Sequence, residues 1–102
     1  MARFRALLCS ISFVLFAQPA LADDNADEAD LHFQLGAAAY TAGDYTKALE
    51  HFLHSNRLVK NRNVMFNIAR AYEQLGQYPN AWRSYTRALE QTADAAFRAK
   101  IE

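Results

Sequence analysis

From residue 31 to residue 92, apolar side chains recur three and four positions apart, with glycine or polar residues breaking the pattern at regular places. Met65, Ile68, Ala69 and Tyr72 fall at i, i+3, i+4 and i+7, one apolar stripe along a helix. Ala81, Trp82, Tyr85, Ala88 and Leu89 predict the buried stripe of a second helix, and Tyr45, Ala48, Leu49 and Phe52 that of a third. Gly76 predicts the end of a helix, because a residue without Cβ takes the left-handed cap conformation freely. Pro79 then fits the first turn of the helix that follows, where its missing N–H costs nothing. Asp44 is placed as an N-cap, its carboxylate able to accept from free N–H groups. No stretch alternates as a strand would. The pattern predicts an all-α chain.

The pattern also repeats. Leu35-Gly36, Gly43-Asp44-Tyr45, Ala48 and Phe52 correspond to Ile68-Ala69, Gly76-Gln77-Tyr78, Ala81 and Tyr85, each a step of 33 residues. Every copy reads as two helices folded into a hairpin. Gly36 and Ala69 occupy equivalent positions and are small because the two helices of a hairpin must approach closely there.

These residues resemble the tetratricopeptide repeat (TPR) family, whose pattern is W-x2-L-G-x2-Y, then A-x3-F, then P. Leu35-Gly36 and Ile68-Ala69-x2-Tyr72 match its first part, and Ala48-x3-Phe52 and Ala81-x3-Tyr85 its second. His32 and Met65 stand in the tryptophan position, Ala39 in that of the first tyrosine, and Lys60 and Ala93 near the proline. The resemblance implies a fragment of an α-solenoid: two helix-turn-helix hairpins, about 29–61 and 62–92, followed by a C-terminal capping helix or the start of a further repeat at 93–102. Asp94 would cap that last helix, with Phe97 and Ile101 on its apolar side. Two repeats fall below the usual minimum of about three for a stable stack. Further helices are expected, from more chain or from a partner.

Arrays of this family bind peptides or partner helices in a concave groove lined by the first helix of each repeat. Carried onto this chain, that groove would use Phe33 and Tyr40 from the first repeat. Asn63, Phe66, Asn67, Arg70, Glu73 and Gln74 would supply the second. Asn63, Asn67, Arg70 and Gln74 are spaced to share one helix face. An asparagine there can hydrogen-bond an extended backbone, and an arginine can clamp a carboxylate. The lysines of the family's carboxylate clamp have no counterpart, since Phe33 and Ala37 occupy those places.

The amino terminus changes the reading of the totals. Residues 1–22 combine Arg3 and Arg5, an apolar run from Ala6 to Ala17, and Ala20-Leu21-Ala22, the form of a cleaved signal peptide. The run is too short to span a bilayer as a helix, which needs ~20 residues. The mature product is thus expected to be exported, periplasmic or secreted in a bacterial envelope, with no stable membrane insertion. The 102-residue chain carries 11 basic and 11 acidic side chains and one cysteine. Cleavage would remove Cys9 and leave 80 residues without a thiol, suited to an oxidising compartment. Residues 23–30 form an acidic leader with five carboxylates, which also suits a helix start. The balanced charge gives no basis for nucleic-acid binding.

Catalytic chemistry finds no foothold in the sequence. G-x-S-x-G, Walker A, dinucleotide and H-E-x-x-H patterns are all missing. His51 and His54 form an H-x-x-H pair beside Glu50, but a metal needs three or four ligands and no third is placed by sequence spacing. No cofactor or metal is therefore expected, and both histidines are read as surface residues. Arg57, Lys60 and Arg62 cluster at a helix junction, where the dipole of a helix C-terminus explains them. The expectation is a non-catalytic scaffold that binds a protein or peptide. One alternative is the leading part of a longer enzyme or receptor whose active domain lies beyond Glu102; another is a self-assembly module.

Overall fold

Gly43 and Gly76 divide the chain in space as they do in sequence. In the computed structural model, which describes residues 20–101, four helices follow one another: α1 (Ala20–Thr41), α2 (Tyr45–Leu58), α3 (Arg62–Gln74) and α4 (Tyr78–Ile101). No strand occurs among the described residues. The expected signal segment 1–22 lies outside them apart from Ala20–Ala22, which open α1.

Both hairpin turns are built by the same hydrogen bonds, 33 residues apart. Gly43 has φ +81° and Gly76 φ +75°. The Gly43 N–H donates to Tyr40 O at 3.0 Å and the Asp44 N–H to Ala39 O at 2.9 Å. At the second turn Gly76 donates to Glu73 O at 3.0 Å and Gln77 to Tyr72 O at 2.9 Å. This pair of bonds is the Schellman motif, and its left-handed residue explains why glycine stands at both places. Asp44 caps α2 as expected, its side chain accepting from the Lys47 N–H at 3.1 Å. Asn61 does the same for α3, accepting from Asn63 at 2.8 Å and Val64 at 3.4 Å.

Helices α1 and α2 pack as one hairpin, α3 and α4 as the other, and α2 lies against α3 to join them. The core holds Ala39, Ala48, Phe52, Val64, Met65, Ile68, Ala71 and Ala88, with Phe33, Tyr40, Leu49, Phe66 and Tyr72 packed onto it. Gly36 is placed where close approach requires it: a Cβ there would sit 2.6 Å from Phe52 Cδ1. Ala69, its counterpart, is wholly buried. Ser55 ties the first hairpin together from within, its buried hydroxyl donating to Ala29 O at 2.7 Å.

Three expectations require correction. The acidic stretch 23–30 is not a separate leader, because α1 runs through it without a break at Asp30. No capping helix begins at Asp94 either. Helix α4 continues from Tyr78 to Ile101, since no glycine or proline follows Pro79 and Thr92 bonds inside the helix, its hydroxyl donating to Ala88 O at 3.0 Å. Finally, Trp82 and Leu89 are not core. They are 69% and 60% exposed, and Tyr78 is 66% exposed. The face of α4 that packs on α3 keeps Ala81, Tyr85 and Ala88 of the expected stripe and adds Ser84, so it is narrower than the apolar pattern.

Candidate functional site

The groove residues come from the first helix of each hairpin, α1 and α3. Between them opens a cleft of about 520 Å³ lined by Ala37, Tyr40, Thr41 and Tyr45 on one side, Asn67 and Arg70 on the other, and Phe52 at its base. Tyr40 and Tyr45 meet edge to face with ring centroids 5.1 Å apart, which props the Tyr40 ring at the cleft wall. The Arg70 guanidinium lies 5.1 Å from the Tyr40 centroid, within cation–π range. That stacking orients the guanidinium, and among the described residues no carboxylate lies within ion-pair distance of it. Asn67 is anchored by its own helix, its Nδ2 donating to Asn63 O at 2.8 Å. The second amide proton and the Oδ1 acceptor are left for a ligand.

The remaining predicted residues do not all join this cleft. Phe33 and Asn63 line a second, smaller depression of about 290 Å³, with Ala26, Ala29, Val59 and Val64 around it. Phe33 leans on the buried Phe52, ring centroids 5.8 Å apart. Phe66 and Tyr85 pack with centroids 6.1 Å apart, so Phe66 serves the α3–α4 hairpin. Glu73 is held by the Tyr85 hydroxyl, which donates to its Oε2 at 3.0 Å. Partial burial, then that bond to a carboxylate, raise the Tyr85 pKa above the ordinary phenol value. Gln74 is exposed and lines neither depression.

A different grouping was missed by sequence spacing. His51 and His54 do not stand alone on α2, because Glu28 and His32 of α1 lie against them. Partial burial and the neighbouring His54 and His51 hold the His32 pKa below its usual value, with Glu28 acting in the opposite sense. The sequence holds the signal in two parts, Glu28-x3-His32 and His51-x2-His54, joined only when the hairpin closes.

Residues 64–99 match the family model described as Tetratricopeptide repeat. The match covers most of α3 and most of α4, so it is the second hairpin that is similar to a tetratricopeptide repeat. No curated protein matches the chain, and no solved structure does. Among the described residues no helix is long and apolar enough to cross a membrane.

Proposed function

We propose that this chain is a non-catalytic scaffold that takes an extended segment of a protein partner into the α1–α3 cleft. The repeat itself suggests a protein-interaction module. The observation that carries the finer reading is the composition of the cleft: two tyrosines, an asparagine and an arginine over the buried Phe52. An apolar partner side chain fits against Tyr40, Tyr45 and Phe52. Asn67 then supplies hydrogen bonds to the partner backbone, and Arg70 a bidentate contact to a carboxylate. The twin-lysine partners of a C-terminal carboxylate clamp remain missing, so an internal acidic side chain suits Arg70 as well as a terminal one does. The signal-like segment at 1–22 supports action in a bacterial cell envelope, periplasmic or secreted.

The test is capture from an envelope fraction with the wild-type chain and an Asn67→Ala/Arg70→Ala variant, followed by affinity measurement with peptides from the captured protein. Loss of about tenfold or more in the variant is expected for the removal of a charge-assisted contact. Equal recovery of every partner by both proteins would remove the cleft from consideration.

A second reading, self-assembly, is favoured by one feature. Tyr78, Trp82 and Leu89 lie at i, i+4 and i+11 along α4, all well exposed, so an apolar strip faces outward on the last hairpin. Sedimentation at several concentrations distinguishes it, since a strictly monomeric folded chain would exclude pairing of copies through that strip.

A further inference from the structure

We propose that Glu28, His32 and His54 form a binding site for one divalent transition ion of the zinc, copper(II) or nickel(II) class, with His51 as the positioning residue behind His32. The donor atoms are already gathered from two helices, and those of Glu28, His32 and His54 all lie within 4.8 Å of one another. Glu28 Oε1 is 3.5 Å from His54 Nε2 and 3.9 Å from His32 Nε2. Both distances exceed the 2.7–3.2 Å of a hydrogen bond, so the three groups do not satisfy one another directly. They do suit an ion between them. Donors at about 2.0–2.2 Å from a tetrahedral metal stand roughly 3.4 Å apart, within half an ångström of the two Glu28-to-histidine spacings, while the two histidine donors lie within 4.8 Å of each other. Two imidazoles are borderline nitrogen donors, and with only one hard carboxylate beside them the set favours zinc, copper or nickel over calcium or magnesium.

His51 completes the arrangement. Its Nδ1 lies 3.0 Å from His32 Nδ1, so one of the two nitrogens carries the proton and the other accepts it. When His32 is the donor, its Nε2 becomes a bare lone pair on the side of Glu28 and His54. That is the tautomer a metal requires, and a hydrogen bond from the distal ring nitrogen is the usual means of fixing it. The rings of His32 and His54 lie 3.9 Å apart between centroids, and those of His32 and His51 5.3 Å apart. Each of the three is thereby fixed in position by another. Glu28 has 51% of its side chain exposed, so the site opens to solvent and a fourth ligand can be water. None of the four residues lines either cleft. The bound ion would act as a staple between α1 and α2, and binding of a partner in the cleft would be a separate event.

The test uses the full chain with any affinity tag removed, stripped of metal with EDTA and titrated with zinc chloride by calorimetry. One zinc per chain is expected, with a rise in Tm of about 10 °C or more at a hundredfold excess over Kd. His32→Ala and His54→Ala should each weaken zinc binding at least tenfold. Glu28→Gln changes an exposed side chain and leaves the fold intact, so its expected loss reports the site alone. His51→Ala should lose ten- to a hundredfold, while His51→Gln, whose amide oxygen can accept the His32 N–H, should restore most of it. Cobalt(II) in place of zinc should give the visible absorption of a four-coordinate ion. Absence of saturable binding at one zinc per chain would overturn the proposal. So would wild-type affinity in both His32→Ala and Glu28→Gln.

Discussion

Replacing Gly36 with alanine sets two opposed effects against each other. Gly36 lies inside α1, where alanine is favoured over glycine by about 1 kcal/mol from backbone entropy alone. Against that, the new methyl group would meet Phe52 Cδ1 at 2.6 Å, Cε1 at 2.7 Å and Cγ at 3.2 Å. Carbon atoms in favourable contact sit about 3.5–4.0 Å apart, so roughly an ångström of relief is needed. The Phe52 ring is 1% exposed and abuts Phe33, so it can move away from residue 36 only by giving up its packing there or by rising into the α1–α3 cleft. Overpacking of this kind costs about 1–3 kcal/mol. The net expectation is a destabilisation of about 1 kcal/mol.

Urea denaturation followed by far-UV circular dichroism measures it, through a lower midpoint at unchanged slope. A companion variant separates the causes. Phe52→Leu opens space beside residue 36, so adding Gly36→Ala to it should cost less than in the wild type, or stabilise. The double-mutant cycle then shows coupling between the two sites of about 0.5–3 kcal/mol. A Gly36→Ala variant that gained about 1 kcal/mol would refute the reasoning, because propensity would then be acting with no packing constraint.

Other substitutions report on other parts of the fold. Gly76→Ala should cost about 1–2 kcal/mol even though nothing lies within 4 Å of its added Cβ, because φ +75° disfavours any side chain; the urea midpoint measures it. Asp44→Ala should lower stability by about 1 kcal/mol, and Asp44→Asn by much less, since asparagine keeps the acceptor for Lys47 N–H. Ser55→Ala removes the buried bond to Ala29 O and should cost about 1 kcal/mol, with faster amide exchange at the N-terminal half of α1. Ultraviolet titration should show Tyr85 ionising above the ordinary phenol value. A phenol whose folded pKa is raised contributes stability that is present below the unfolded value near 10 and is lost as pH rises through the folded one. Glu73→Gln should bring that titration back toward the ordinary value.

What could be read from the chain depended on the range of the interaction. The glycines, caps and helix stripes are local matters, decided by a residue and its neighbours three or four positions away, so Gly43, Gly76, Asp44 and the α3 stripe stand where the pattern put them. Trp82 and Leu89 were misplaced because periodicity marks an apolar face without saying what covers it. The outward face of α4 also carries large apolar residues, Tyr78, Trp82 and Leu89, and periodicity alone does not separate it from the face that α3 covers. The end of α4 was misplaced for a related reason: a capping residue such as Asp94 can stop a helix but cannot compel it to stop.

The histidine group required one further step, the register of the hairpin. Once the turn at Ala42–Gly43 is fixed, α1 and α2 run back along each other, and positions mirrored about the turn face one another. Tyr40 meets Tyr45, Phe33 meets Phe52, and Ala29 meets Ser55. By the same reflection His32 falls level with the stretch between His51 and His54, and Glu28 falls opposite Asn56–Arg57, less than a turn beyond His54, from where its side chain reaches back to His54. Every element of that inference, the glycine turn, the small residue at Gly36 and the two spaced pairs, is present in the sequence. Counting ligands along one helix could not find the third donor, whereas folding the chain at Gly43 brings it alongside. A hairpin whose turn is legible therefore makes its cross-helix chemistry legible too, provided both helices of the hairpin are read together.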